Sequence, residues 1–336
     1  MDSLTHIVLG GCIGEAWAGK QVGKKALLWG ALSQSVPDVD FIAAFWMKPV
    51  PELLAHRGFT HSLLFGAIMT FFLALVAERW HRPHDITLKK WMFFLGSEIL
   101  IHLLLDACNA YGVGWFEPFS HYRISFHTLF VADPLFSIWP AISFAAILIL
   151  KTSNKNRVRW AKWGIGLCMA YLVYAFYNKI SIDREVNRIA AKQKIEYSRY
   201  FTTPTPLNNW LWFAVLQNDS GYYTSYRSVF DSKETMEFRH FYRNDSLLRP
   251  FEQGDDVRML KRFSQGYYTA EMWSDTLVFN DLRFGQIIGW EDPSARFAFH
   301  YFLQYPNDNE LVVQRGRFAG WDREAIQFLI KRIKGN

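Results

Sequence analysis

Two histidines five residues apart stand at the start of a long apolar run, in the segment His56-Arg57-Gly58-Phe59-Thr60-His61-Ser62. Imidazole is the commonest protein ligand for a catalytic divalent metal. Thr60 or Ser62 could cap the helix predicted to begin here and leave backbone N–H groups free for an anion. The competing interpretation is a pair of hydrogen-bonded structural histidines, so the other acids and histidines of the chain must decide.

Further imidazoles and carboxylates lie in the same half of the chain. Glu98, His102 and Asp106 are spaced by four and therefore share one face of a predicted helix. Ionisable groups are costly inside an apolar run, so this face indicates a functional site. The predicted metal ligands are four histidines and four aspartates: His6, Asp38, Asp40, His56, His61, His102, Asp106 and Asp133. Asp38 and Asp133, each beside a proline, could instead cap helices or turns.

Eight potential ligands exceed what a single ion needs. Mixed His and Asp shells are typical of clustered Zn²⁺, with Mn²⁺ as the alternative, and an aspartate often bridges two ions. We therefore expect two or more divalent metal ions, a centre that suits phosphoester hydrolysis. The predicted catalytic residues are Asp40, Asp106, Arg57 and Arg123. The two arginines are expected to hold the remaining phosphate charge, and for each a solvated interfacial role stays open.

Four apolar segments must position these residues. They are residues 62–77, 91–105, 135–150 and 163–177. They are nearly free of charge, carry Trp and Tyr at their edges and reach about 17–20 residues with their flanks, enough to cross a hydrocarbon core. Four such runs in one half of the chain favour membrane spans over the buried helices of a soluble enzyme.

Two shorter apolar pieces, residues 7–18 and 26–36, precede the first span and are separated by Lys20, Lys24 and Lys25. Each piece is too short for an ordinary crossing, so the sequence predicts a short helical hairpin packed against the other spans. Small residues let helices approach closely. The hairpin contains six glycines that suit such contact: Gly10, Gly11, Gly14, Gly19, Gly23 and Gly30.

The formal net charge is +6, but the basic residues cluster in loops instead of covering a face, so no nucleic-acid partner is expected. Two clusters flank the spans: Arg79, Arg82, Lys89 and Lys90, and Lys151, Lys155, Arg157, Arg159 and Lys162. The positive-inside rule places both in the cytoplasm. Every predicted ligand then falls near the outer face, although this orientation is assigned from lysines and arginines alone. The start of the chain lacks the basic region of a cleaved secretory signal.

After residue 178 the chain takes the composition of a soluble domain. Residues 181–206 are predicted as a linker helix that ends at a proline-rich segment, and residues 207–336 as a small α+β, mostly β, domain outside the membrane. Its strands are predicted within 210–217, 222–230, 267–273, 276–279, 283–290 and 296–304. Turns are predicted at 218–221 and 280–281. A closing helix should bury one apolar stripe: Ile326, Leu329, Ile330 and Ile333.

Five sequence blocks also resemble a known family. They are Asp2-Ser3-Leu4-Thr5-His6, Pro37-Asp38-Val39-Asp40, the segment of residues 56–62, His102-Leu103-Leu104-Leu105-Asp106 and Asp133-Pro134. In this order they resemble the bacterial family of membrane-bound, LexA-regulated metal-dependent hydrolases, and the resemblance covers residues 1–180. It implies an integral membrane hydrolase. Through a more distant likeness to zinc-dependent phospholipase C and P1-type nucleases, it also implies a helical multi-metal phosphoesterase site.

The expected architecture is a membrane α-helical bundle in residues 1–180, with about four long spans and the N-terminal hairpin, followed by the linker and the β domain. The expected function is hydrolysis of a phosphoester of a phospholipid or lipid-linked substrate at the outer face of the bacterial cytoplasmic membrane. A cation transporter is the alternative, with Glu98, His102 and Asp106 along the ion path. A non-catalytic envelope scaffold that uses the β domain is a third interpretation.

Overall fold

The computed structural model describes residues 1–81, 86–252, 254–303 and 321–335. Two sequence predictions, the cytoplasmic placement of Arg82 and the end of the last strand at Gln304, lie outside these residues. The chain divides into two compact units. The first contains Met1–Ala43, Ala55–Phe126 and Phe130–Ala175, and the second contains Ala44–Leu54, His127–Leu129 and Phe176–Asn336.

Helices dominate the first half of the chain. In order they are α1 (Ser3–Val22), α2 (Lys25–Ser35), a 3₁₀ helix (Pro37–Phe45), α3 (Pro49–Ala55), a 3₁₀ turn (Phe59–His61), α4 (Leu63–Trp80), α5 (Leu88–Ala107), α6 (Pro134–Ile149) and α7 (Asn156–Lys192). Short polar side chains cap the beginning of several of these helices by accepting hydrogen bonds from unpaired backbone N–H groups. Asp2 accepts from the N–H of Thr5, and Ser62 accepts from that of Phe65, which confirms the predicted cap at the start of α4.

The N-terminal hairpin forms as predicted, because glycines let α1 and α2 cross at backbone contact. A Cβ atom built on Gly30 would lie 2.0 Å from the carbonyl oxygen of Gly10, and one on Gly14 would lie 2.1 Å from that of Ala26. Any larger residue at these crossings would push the helices apart. Its small residues therefore fix the hairpin. The beginning of α1 and the end of α2 both contribute to the candidate site.

The core of the first unit forms around α5. Trp91, Phe94 and Leu95 are buried against Trp29 of α2 and Ala74 of α4. A second link joins α1 to the beginning of α7, where the guanidinium of Arg157 donates to both carboxylate oxygens of Glu15. Both side chains are almost fully buried, and bidentate pairing compensates their desolvation. These contacts hold α5, and thus its ionisable face, in a fixed position.

The four predicted spans are supported only in part. Among the described residues, two helices are long and apolar enough to cross a membrane by length and composition, and they are α4 and α7. Helix α6 has 16 residues, which is shorter than an ordinary span. Helix α5 has 20 residues, but Lys89, Lys90, Glu98 and Asp106 give it more charge than an ordinary span carries. The sequence prediction counted α5 and α6 as spans although α5 carries too much charge and α6 is too short.

Helix α7 runs without interruption from Asn156 to Lys192. It joins the last predicted span to the first part of the predicted linker helix, so the change of composition near residue 178 is not a break in structure. The proline-rich segment does not end a helix, because β1 (Arg199–Pro204) already forms there. A helix continues wherever its i to i−4 bonds are unbroken, even if its surroundings change from apolar to polar.

The second unit contains two antiparallel sheets. One pairs β1 with β2 (Leu211–Gln217), β3 (Gly221–Ser228) and β4 (Arg239–Tyr242) in sequence order. The other pairs β5 (Tyr268–Trp273), β6 (Thr276–Gln286) and β7 (Phe297–Leu303). The described residues after β4 also form the α-helices α8 (Asp245–Leu248), α9 (Asp255–Phe263) and α10 (Arg323–Ile333) and a 3₁₀ turn (Arg249–Phe251). The mostly β character predicted from short aromatic runs is confirmed.

Details of this unit differ from the sequence predictions. The turn at residues 218–221 is confirmed, because the Asn218 side chain accepts from the N–H of Gly221. Residues 280–281 were predicted as a turn, but they lie within β6, where Asn280 pairs with Thr269. The buried Asp281 is stabilised there by the guanidinium of Arg283, so its polarity does not require a turn. On α10, Leu329 is buried whereas Ile326 and Ile330 are exposed, so the stripe is narrower than predicted.

Candidate metal centre

Four of the predicted ligands converge in the first unit. Asp38, His61, His102 and Asp106 each offer one ligand atom, and these atoms all lie within 4.8 Å of one another. Different elements supply them: the 3₁₀ helix after α2, the 3₁₀ turn before α4, and two successive turns of α5. The side chains of His61, His102 and Asp106 have no exposed surface, whereas 16% of the Asp38 side chain is exposed. We call these four residues the metal cluster.

The facing atoms of the metal cluster are two imidazole nitrogens and two carboxylate oxygens. Nε2 of His61 and Nε2 of His102 are 3.1 Å apart. Oδ2 of Asp106 lies 3.3 Å from the first nitrogen and 3.5 Å from the second, and Oδ1 of Asp38 lies 3.6 Å from each. The opening histidine segment therefore meets the α5 face through His61.

The outward-facing nitrogens of these histidines are already occupied. Nδ1 of His102 lies 2.6 Å from the backbone carbonyl oxygen of Gln34, which can only accept a hydrogen bond. His102 therefore donates through Nδ1, and in the neutral ring its Nε2 presents a lone pair to the cluster. Nδ1 of His61 is 3.1 Å from the Thr60 hydroxyl and 3.4 Å from a carboxylate oxygen of Asp40. Metal-ligating histidines typically show this arrangement, with the second nitrogen held by an acceptor.

His6 approaches the metal cluster from α1. Its Nε2 lies 3.1 Å from Oδ1 of Asp106, and its ring stacks on that of His102 at a centroid distance of 3.9 Å. Its Nδ1 lies 3.1 Å from the side-chain oxygen of Gln34, whose amide nitrogen donates to Glu98. Gln34 therefore orients His6 with its side chain and His102 with its main chain. Gln34 could not be recognised from the spacing of ligand residues, because an amide in an apolar helix resembles any other polar interruption.

The donor set fits a divalent cation. Oδ2 of Asp106 is fully buried and has no hydrogen-bond partner in the described part of the chain. This oxygen faces Nε2 of both histidines, and Nε of Arg57 lies 3.2 Å from it without forming a hydrogen bond, so a divalent cation between the carboxylate and the imidazoles would give it a partner. Imidazole and carboxylate ligands are typical of zinc and also suit manganese. The metal cluster can thus bind one metal ion, while the identity of the metal and a count of two or more stay predictions.

Asp40 and His56 lie beside the metal cluster and not among its four ligand atoms. One Asp40 oxygen is 3.4 Å from Nδ1 of His56 and 3.4 Å from Nδ1 of His61, and it also accepts from the N–H of Arg57 at 2.6 Å. Burial tends to raise the pKa of Asp40, but the hydrogen bond from His56 and the charges of both histidines lower it overall. Asp40 is therefore an ionised carboxylate that holds two imidazoles.

Arg57 is a buried partner of the metal cluster, so the solvated interfacial role that the sequence left open does not apply to it. Its Nε lies 3.2 Å from Oδ2 of Asp106, and its Nη2 donates to the carbonyl of Met1 at 3.0 Å. The backbone nitrogen of Met1 also contacts Asp106. Burial lowers the pKa of Arg57 to about 10 against the opposing effect of Asp38 and Asp40, so the guanidinium remains charged at neutral pH. Its φ of 57° is held by the bond to Asp40.

Two other predicted site residues have different roles. Arg123 is buried, and its guanidinium donates to the carbonyl oxygens of His56 and Gly112 at 2.6 and 3.4 Å. It therefore supports the loop that carries the opening histidine. Asp133 begins α6, where Oδ1 accepts from the N–H groups of Leu135 and Phe136, and Oδ2 accepts from the Tyr171 hydroxyl. The structure thus gives Asp133 the capping role that its position beside a proline left open.

Comparison with known proteins shows the family of this chain. Residues 1–182, more than half of the chain, match the family described as YdjM inner membrane protein. The chain belongs to this family. Inner membrane protein YbcI of Escherichia coli (strain K12) is 32% identical over 122 residues, which cover 36% of this chain and 69% of YbcI. YfhP of Bacillus subtilis (strain 168) is 26% identical over 170 residues, and YdjM of Escherichia coli (strain K12) is 35% identical over 92 residues.

The matched regions mark what the family shares with this chain. The match to YfhP covers 45% of this chain and 51% of YfhP. The match to YdjM covers 25% of this chain and 44% of YdjM. No solved structure matches the chain. The family and the names of its relatives confirm the predicted inner membrane protein. Hydrolase activity and LexA regulation stay predictions, and the family match ends before the β sheets begin.

Proposed function

We propose that this protein is a metal-dependent hydrolase of the bacterial inner membrane that acts on a phosphoester of a lipid or lipid-linked substrate. The observation that supports this proposal most directly is the metal cluster itself. Two imidazoles with occupied Nδ1 atoms direct Nε2 toward a buried oxygen of Asp106 that has no hydrogen-bond partner among the described residues. Such a donor set suits a catalytic divalent ion better than a structural hydrogen-bond network.

In the proposed site, Asp38, His61, His102 and Asp106 would hold the ion. A bound divalent ion polarises a phosphoryl oxygen and makes water a nucleophile near neutral pH. Arg57 orients the carboxylate of Asp106 through their contact at 3.2 Å. It also places a positive charge beside the substrate position, which favours a phosphate.

His56 is the residue best placed to move a proton. Its side chain is 41% exposed, and its Nδ1 lies against the Asp40 carboxylate. With Nδ1 held in this way, Nε2 is free to exchange a proton with a water molecule or with the leaving oxygen of the substrate. We therefore assign His56 and Asp40 to proton transfer beside the cluster, where the sequence had suggested metal ligation for both.

A matched pair of aspartate variants tests the proposal. Asp106→Asn and Asp133→Asn make the same chemical change, but only Asp106 faces the metal cluster. The full-length protein, purified in detergent, is expected to contain at least about one zinc or manganese ion per chain by mass spectrometry. Asp106→Asn should lose this metal and more than about 100-fold of bis(4-nitrophenyl) phosphate turnover, beyond the 10–100-fold typical of residues that only orient a ligand. Asp133→Asn should keep both, and both variants should still insert into the membrane.

The same preparation separates the proposal from the transporter alternative. Glu98 has one carboxylate oxygen that is buried without a hydrogen-bond partner among the described residues. If the protein takes up no metal, and reconstituted liposomes show a cation flux that Glu98→Gln abolishes, the transporter interpretation replaces the hydrolase. If Asp106→Asn retains full turnover, the proposed site is wrong.

A further inference from the structure

A cavity of about 480 Å³ opens beside the metal cluster within the first unit. Its volume falls in the range of sites that bind small molecules, about 300–1,000 Å³. Its walls come from α1, α2 and α4 and from the 3₁₀ helix that follows α2. The residues that line this cavity indicate what it can bind.

The polar lining of the cavity is concentrated around the metal cluster. Asp38, Asp40 and His56 all line it. Asp38 is the member of the metal cluster with exposed side-chain surface, since the other three side chains are fully buried. His56 is the exposed partner of Asp40. A molecule in this cavity can therefore reach the metal cluster at Asp38 and the proposed proton carrier at His56.

The remaining lining is mostly apolar and comes in pairs one helical turn apart. Leu32 and Val36 follow each other on α2 and its end, and Phe65 and Met69 follow each other on α4. Residues four apart share a helix face, so each helix presents a continuous apolar surface to the cavity. Leu32 is 41% exposed, which leaves apolar surface in contact with whatever occupies the cavity.

The surroundings of the cavity favour a hydrocarbon occupant. Helix α4, which supplies Phe65 and Met69, is one of the two described helices able to cross a membrane by length and composition. The chain belongs to an inner membrane protein family. A wall shared with a candidate span allows an alkyl chain to enter from the bilayer, and burying each of its methylenes is favourable. A polar soluble substrate would leave the apolar pairs exposed to water.

We infer that this cavity binds the hydrocarbon chain of an amphiphilic phosphoester and places its phosphate at Asp38 and His56. For the headgroup, the inference rests on the proposed hydrolase function. For the chain, it rests on the cavity alone. Leu32 and Met69 are then specificity-determining residues, because their side chains line the apolar part and belong to different helices.

A series of alkyl 4-nitrophenyl phosphate diesters tests the chain. Water replaces the nitrophenyl oxygen on phosphorus, giving the alkyl phosphate, 4-nitrophenolate and a proton. With the full-length protein in proteoliposomes, kcat/KM should rise by more than about tenfold from the ethyl to the octyl ester, because each fully buried methylene contributes up to about fourfold. Turnover that is independent of chain length would overturn the inference while leaving the hydrolase proposal intact.

Two tryptophan variants on α2 provide the matched comparison. Leu32→Trp fills the cavity, whereas Leu28→Trp makes the same change one turn earlier, at a residue that is 59% exposed and does not line the cavity. The ratio of octyl to ethyl kcat/KM should fall by about tenfold or more in Leu32→Trp. Leu28→Trp should keep the ratio of the unaltered protein. Equal ratios in the two variants would contradict the inference, since effects of membrane partition are the same in both.

A binding readout keeps the test independent of catalysis. A hexadecyl phosphate probe with a photoreactive diazirine in its chain is expected to label peptides that contain Phe65 and Met69, and Leu32→Trp should reduce this labelling several-fold relative to Leu28→Trp. Labelling without turnover of any ester would reject the hydrolase proposal and support the cavity. Turnover with labelling unaffected by Leu32→Trp would reject the cavity and support the hydrolase.

Discussion

At the scale of single residues, the orientation of the histidines is as informative as their proximity. Gln34 sets this orientation for two rings, since its carbonyl accepts from His102 and its side chain accepts from His6. Glu98 fixes Gln34 in turn by accepting from its amide. Residues behind metal ligands typically change metal affinity about 10–100-fold when they are removed. Glu98 is therefore linked to the metal cluster through Gln34. Its spacing from His102 and Asp106 had indicated a place on the functional face itself.

Gln34→Leu should weaken metal binding by about 10–100-fold, because His6 loses the acceptor that holds its Nδ1 while the main-chain acceptor of His102 remains. The affinity is measured by competition with a chelator, below the unfolding temperature of both proteins. A change in the absorption spectrum of bound Co²⁺ would report a changed ligand field. Ser33→Ala is the control, since Ser33 is equally buried on α2 and its hydroxyl only donates to the Trp29 carbonyl.

An unchanged affinity in Gln34→Leu would show that His6 orientation does not matter to the bound metal. The sequence predicted His102 and Asp106 because ionisable groups in apolar runs have few structural roles. It could not separate Asp133 from them, because capping and ligation both place an aspartate before a helix. It assigned both arginines to phosphate charge or to a solvated interface, since an arginine indicates such roles unless its buried acceptors are known.

At the scale of elements, the apolar periodicity predicted the helices well but their membrane role less well. Helix α5 shows the reason: Glu98 and Asp106, which belong to its ionisable face, add to Lys89 and Lys90 and give the helix more charge than an ordinary span carries. The β unit shows a related limit. Asn280 has the composition of a turn, yet its side chain donates to Thr269 and Glu271 and so it remains inside a strand. Local residue types cannot reveal partners that are distant in sequence.

Gly30→Ala should destabilise the hairpin, because the new Cβ would meet the Gly10 carbonyl at 2.0 Å and Glu98 at 3.0 Å. Overpacking of this kind costs about 1–3 kcal/mol. Thermal unfolding in detergent measures the effect. Gly166→Ala in α7 is the control, since a Cβ there meets no atom within 4 Å and should stabilise its helix by about 0.5–1 kcal/mol. Gly30→Ala should also lower metal content, as α2 carries Gln34. Equal stability of the two variants would show that the crossing can relax.

At the scale of the whole molecule, α7 connects topology to function. Its 37 residues extend about 55 Å, well beyond the roughly 30 Å of a hydrocarbon core. Its first turns carry Arg157 and Arg159, and basic residues favour the cytoplasmic side. If α7 crosses the membrane, its polar end around Asp183 must emerge on the opposite side. This single helix gives the predicted topology a physical basis that does not depend on counting the other spans.

Single-cysteine variants test this topology in intact cells. We expect a membrane-impermeant maleimide to label Asp275→Cys, an exposed turn residue after β5, and to leave Asn156→Cys unlabelled until the membrane is permeabilised. The native cysteines, Cys12, Cys108 and Cys168, are buried, so they should give little background, and the unaltered protein measures it. Labelling of Asn156→Cys from outside, together with protection of Asp275→Cys, would invert the orientation. Because the cavity and the metal cluster are in the same unit, that result would move the proposed hydrolysis to the cytoplasmic face.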